Sequence, residues 1–186
     1  MTLDKDNLLS SILESLDRIH HIKLEDIPNI ELYMDQVTTF MEHNLKSSLR
    51  NPEDKILTKT MINNYAKNDL LPPPVKKKYS REHIIMLIFI YYLKNILSIN
   101  DIQTVLNPIT DKYFGNKDGY NMEDIYKEIF DMEKEESTKV LKEFTKKYQI
   151  AKNTFKEYPE EDQELLQTFS FICLLSFDIY IKKQAN

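Results

Sequence analysis

Two glycines serve all 186 residues, and that scarcity narrows the fold more than any other feature. A sheet built from hairpins needs residues that accept positive φ at its tight turns, and glycine does so without steric cost. The one Asp-Gly pair, Asp118-Gly119, lies in a polar stretch, and no Asn-Gly or Asp-Gly separates alternating apolar runs. An all-α fold is therefore expected, with helices joined by short polar loops. Material for a core is ample: 41% of residues are apolar, with 11 tyrosines and 9 phenylalanines, unlike the composition of a disordered chain.

The apolar spacing places the helices. Leu8, Leu9, Ile12, Leu13, Leu16 and Ile19 fall on one helical face, ending near His20-His21. Pro28 marks a linker, after which Tyr33, Val37, Phe40, Met41 and Leu45 share the face of a second helix. The polar segment 46–55 contains Pro52 and reads as a loop. Thr58 is placed to cap a short helix running to about Asp69, which Pro72 to Pro74 stop. Ser80 caps the next, whose run Ile84 to Leu93 is apolar without a break, so this helix should be the spine of the core. Ser98 and Asp101 have capping-box spacing before Ile99, Ile102, Val105 and Leu106, and Asn107-Pro108 should close that helix. Residues 109–120 hold both glycines and give the strongest boundary signal. Beyond them, Met122, Ile125, Ile129, Leu141, Phe144 and Tyr148 mark helical stretches, and a final helix runs from about Glu161 to Lys183. Ile84–Leu93 and Phe169–Ile181 both fall short of the roughly 20 apolar residues of a membrane span, so both are expected to be buried helices and no membrane partner is expected.

Catalytic chemistry finds little to work with. No Gly-rich loop, nucleophile elbow or His-x-x-x-His pair is present. His20 and His21 are adjacent, so on a helix they diverge by about 100° and cannot share a metal. Cys173 is the single cysteine and lies in an apolar helix, where an inert thiol is the rule. No catalytic residue, metal or cofactor is expected, and the chain is not read as an enzyme. The absence of disulfide potential and an acidic start, MTLDKD, fit a cytoplasmic protein.

The charges are unevenly placed. Residues 1–45 carry three basic and nine acidic side chains, 46–94 ten and four, and 95–186 twelve and seventeen. A basic island of +6 thus sits between flanks of −6 and −5, as an anionic partner would require, although a solvated lysine-rich face would look the same. Within the island, Lys59, Thr60, Asn63, Asn64 and Lys67 fall on one stripe of the short helix, opposite Met61, Ile62 and Tyr65. Asn can pair bidentately with adenine in a major groove. Lys76, Lys77, Lys78 and Arg81 follow at once and could neutralise phosphates.

The run TKTMINNYAKNDLLPPPVKKKYSREHIIMLIFIYYLKNILSINDIQTVL resembles the winged helix-turn-helix DNA-binding domain of the mercury-resistance-regulator (MerR-like) transcription factors. Tyr65, Leu70, Leu71, Pro72, Tyr79, Ser80, Ser98 and Ile102 fall in that pattern. The departures are Asn63 in place of the usual arginine, Asp69 in place of glycine, a wing several residues shorter without Gly-Tyr-Arg, and a longer loop at 46–57. Over about 28–150 the chain also resembles an uncharacterised bacterial family, domain of unknown function 1836, through wording such as LYMDQVTTFM and LLPPP followed by basic residues.

These resemblances imply a winged helix-turn-helix core with a shortened wing at 30–108, an N-terminal helix and linker at 1–29, and a helical C-terminal region at 109–186 that packs or dimerises. They imply a transcriptional regulator that binds double-stranded DNA, with a homodimer through the C-terminal helices setting two recognition helices on successive turns. The rival is a helical protein-interaction module that kept the fold without DNA contact. No polar cluster identifies a small-molecule effector.

Overall fold

A computed structural model describes Ser10, Glu14 and residues 21–49 and 53–184. The apolar face expected for Leu8, Leu9, Ile12, Leu13, Leu16 and Ile19 therefore lies outside the described residues, as does Pro52. The chain divides into two compact units, one spanning Ile19–Asp131 and another formed by Met1–Arg18 and Met132–Asn186.

In the first unit, β1 (Leu32–Tyr33) leads directly into α1 (Met34–Leu45), and a 3-10 turn follows at Lys46–Ser48. Then come α2 (Lys59–Lys67), β2 (Lys78–Tyr79), α3 (Arg81–Leu93) and α4 (Ile99–Tyr113). A long helix, α5 (Met122–Lys152), begins in this unit. The fold is mostly helical, and its one small sheet pairs β1 and β2 antiparallel, Leu32 against Tyr79 and Tyr33 against Lys78.

The spine is α3, in which every residue from His83 to Tyr91 is buried. Such a helix has no solvent face and must be covered on all sides. Val37, Met41 and Leu45 of α1, Ile62 and Tyr65 of α2, and Ile102 and Leu106 of α4 supply the cover. From α5, Tyr126 and Phe130 pack against Phe89 at ring-centroid distances of 5.6 and 6.1 Å and against each other at 4.3 Å, and the Tyr126 hydroxyl donates to the Ile22 carbonyl.

Three expectations are corrected. Pro108 does not end α4, which continues to Tyr113. An interior proline costs roughly 3 kcal/mol, and packing of Ile109, Tyr113 and Phe114 against the core offsets it. Tyr33 does not join the buried face of α1; it lies in β1, 53% exposed, while Leu32 turns inward. Two-residue alternation governs there, not the helical period.

The third concerns the second unit, in which α6 (Glu160–Gln184) folds back on the later part of α5. Phe171 meets Tyr148 edge-to-face at 5.4 Å, Lys147 pairs with Asp178, and Gln167 donates to the Thr154 carbonyl at 3.0 Å. Only one side of α6 is so covered. Leu165, Phe169 and Ile179 are 61–68% exposed, so the helix is not the buried one expected. Counted from Glu160 rather than Phe169, 22 of its residues are long and apolar enough to cross a membrane by length and composition.

Candidate nucleic-acid interface

The Thr58 hydroxyl accepts from the Met61 amide at 3.1 Å, which starts α2 by satisfying one of its free amides. Ile62 and Tyr65 then anchor the helix in the core. The consequence is that Lys59, Thr60, Asn63, Asn64 and Lys67 all lie on the exposed side. At the other end, the Leu70 amide donates to the Tyr65 carbonyl at 2.9 Å and Asp69 takes φ +55°. This is a left-handed helix cap. The Gln103 side chain of α4 donates to the Asn68 carbonyl and fixes the same end.

Seven residues on, Lys76 and Lys77 form the tip of a tight hairpin closed by a Lys78 amide bond to the Val75 carbonyl at 2.9 Å. Both tip residues have positive φ, 49° and 65°, as a type I′ turn requires. Lysines are poor choices for that backbone, since each pays a steric cost that Asn or Gly would avoid. Both are exposed, and among the described residues neither holds an ion pair. Lys78 is tied down instead, 3.6 Å from Glu31 with its ammonium over the Tyr33 ring at 5.7 Å.

Two candidates are engaged elsewhere. Lys59 pairs with Asp35 at the start of α1, an exposed contact worth about 0.2–1 kcal/mol at most. Arg81 is turned inward: its guanidinium donates to the Leu24 carbonyl at 2.6 Å and approaches Glu123 at 3.5 Å. That makes it a clasp between α3, α5 and the Leu24–Asp26 turn rather than a member of the lysine group. Tyr33 and Val75, both more than half exposed beside these lysines, are not found by the helical period. The alternation Leu32-Tyr33 is the available signal for the first.

His83 links the hairpin to the spine. It is buried, and its Nδ1 accepts from the Ser80 amide at 3.0 Å and contacts the Ser80 hydroxyl at 2.7 Å. The ring also faces the Pro72 and Pro73 carbonyls, without closing a full hydrogen bond to either. Burial holds its pKa below the usual 6.5, with those carbonyls and Glu31 pulling the other way. The histidine is therefore neutral at pH 7, as its accepting role demands.

Among the described residues no cluster of three metal-ligating side chains occurs. The model of the family described as Domain of unknown function (DUF1836) matches residues 22–129. No curated protein and no solved structure matches the chain. The matched segment covers more than half of the sequence and coincides with the first compact unit to within three residues at each end, so the chain belongs to the DUF1836 family.

Proposed function

We propose that the Ile19–Asp131 unit is a winged helix-turn-helix of shortened wing and binds double-stranded DNA. In this reading α2 lies in the major groove, where Asn63 and Asn64 read base edges and Lys59, Thr60 and Lys67 contact bases or nearby phosphates. Lys76 and Lys77 at the hairpin tip grip the backbone, with Lys78 behind them. Arg81 holds the scaffold from within. The observation that carries the proposal is the hairpin tip: two exposed lysines kept in a backbone conformation that disfavours them, nine residues from the end of an exposed Lys/Asn stripe. Strain of this kind is commonly retained for function.

Val75 and Ile30, 65% and 67% exposed, favour a second reading, a protein-docking surface with basic residues around apolar ones. Selection of bound duplexes from a random pool at two salt concentrations separates the two. Enrichment of one motif is expected, and Lys76→Glu with Lys77→Glu should weaken every bound sequence and reduce the salt slope by about 0.9 for each phosphate no longer neutralised. No retention of any duplex at low salt would leave the docking surface.

A further inference from the structure

The two ends of α2 are held by different means. At its start, Lys59 pairs with Asp35 through exposed side chains, a contact for which a DNA phosphate would compete, since each offers the same ammonium an anion. At its end the tie is neutral. The Gln103 side chain of α4 donates to the Asn68 carbonyl, and the Asn68 side-chain amide in turn donates to the Asn64 carbonyl at 2.8 Å. A relay of two hydrogen bonds thus runs from α4 to Asn64, one of the exposed residues that α2 presents. Its origin is firmly seated, because Ile102 and Leu106, on either side of Gln103, are buried in the core. The core anchors of α2, Ile62 and Tyr65, are three residues apart and lie within one turn. Contacts so close together fix how far the helix stands from the core and leave its ends to be set by others. Leu70 and Leu71 are buried past the cap, and Gln103 holds the cap itself.

We propose that Gln103 is a positioning residue of the DNA interface, one that sets the base specificity of α2 without touching a base. The inference rests on the reading of α2 as the helix that enters the major groove. An Asn amide discriminates adenine only when both its hydrogen bonds close on one base edge, so a displacement of about 1 Å at Asn64 forfeits the pair. Phosphate contacts are more tolerant, because a lysine ammonium is a point charge on a flexible stem. Removal of the relay therefore costs specificity before it costs affinity.

The test uses the full chain and the motif enriched from the random pool, with a shuffled duplex of equal length as reference. Gln103→Met keeps the length of the side chain and removes its donor. Affinity for the motif relative to the shuffled duplex should fall about tenfold, the worth of one bidentate base contact. The shuffled duplex should be bound within about twofold of the wild type, with far-UV dichroism unchanged. Gln103→Arg offers an N–H again and should bring the ratio back to within about threefold, since its added charge acts on both duplexes alike. A cycle with Asn64→Ala tests the route. If Gln103 works through Asn64, Gln103→Met should change the ratio by less than about twofold in that background, whereas an unrelated loss would add in full. An enriched motif whose ratio survives Gln103→Met, or an undiminished loss on top of Asn64→Ala, overturns the positioning role alone. Retention of no duplex at low salt overturns the DNA-binding reading and this inference with it.

Discussion

His83 shows how one side chain can tie stability to pH. Its folded pKa lies below the unfolded value of about 6.5, so the unfolded chain binds the proton more readily. The contribution of the neutral ring is complete above pH 6.5 and is lost as pH falls through the depressed folded value. A protonated Nδ1 would also point a donor at the Ser80 amide, which now donates to it. Urea unfolding at pH 7.5 and 5.5 should show a larger loss for the wild type than for His83→Gln, since glutamine keeps an acceptor at the capping-box position without titrating. The hairpin tip gives a second expectation. Lys76→Asn with Lys77→Gly should raise stability by about 1 kcal/mol, or a few degrees in Tm, because both residues relieve positive φ. The same change should weaken DNA retention if the tip grips phosphate, which separates strain from charge. Residue identity announces the Thr58 cap, since threonine before a periodic apolar run has few other uses. Positive φ at Lys76 and Lys77 is not legible in the sequence, because their residue types give no hint of it.

Among the elements, α3 is the most readable. Ten apolar residues in succession leave no polar face, and burial on every side is the only arrangement that satisfies such a helix. The extent of α4 is not readable in the same way, because proline's local cost is visible in sequence and the tertiary contacts that follow it are not. If packing of Ile109 and Tyr113 does hold α4 across Pro108, Pro108→Ala should restore an amide to the Thr104 carbonyl. Unfolding free energy is then expected to rise by about 1–2 kcal/mol, measured by chemical denaturation, with far-UV dichroism unchanged. A drop would mean that the proline stabilises a bend the core requires. The sheet of β1 and β2 is hidden for a different reason. Two-residue strands are too short for alternation to stand out, and their pairing joins residues 45 and 47 positions apart, a relation that local spacing cannot carry.

At the scale of the molecule, the two units differ in how they are held. The buried cluster around α3 draws on both strands and on α1 to α5, whereas Tyr148, Ala151 and Phe171 are the only buried residues of the second cluster among those described. Sequence signals α6 as apolar but cannot say whether the chain covers it, because coverage depends on how many neighbours reach it in space. The candidate DNA-contacting residues are legible as a group from charge and helical spacing, and Arg81 departs from the group because burial decides between a phosphate contact and an internal clasp. The closed network of the first unit has a practical corollary. Arg81, the aromatic stack of Phe89, Tyr126 and Phe130, and the Ile22 carbonyl all find their partners before Met132. A fragment of residues 19–131 should therefore fold by itself, with a cooperative thermal transition and dispersed amide resonances. Evolution or an experimenter could then detach the head from whatever α6 engages, and exchange one attachment for another without disturbing the surface that α2 presents.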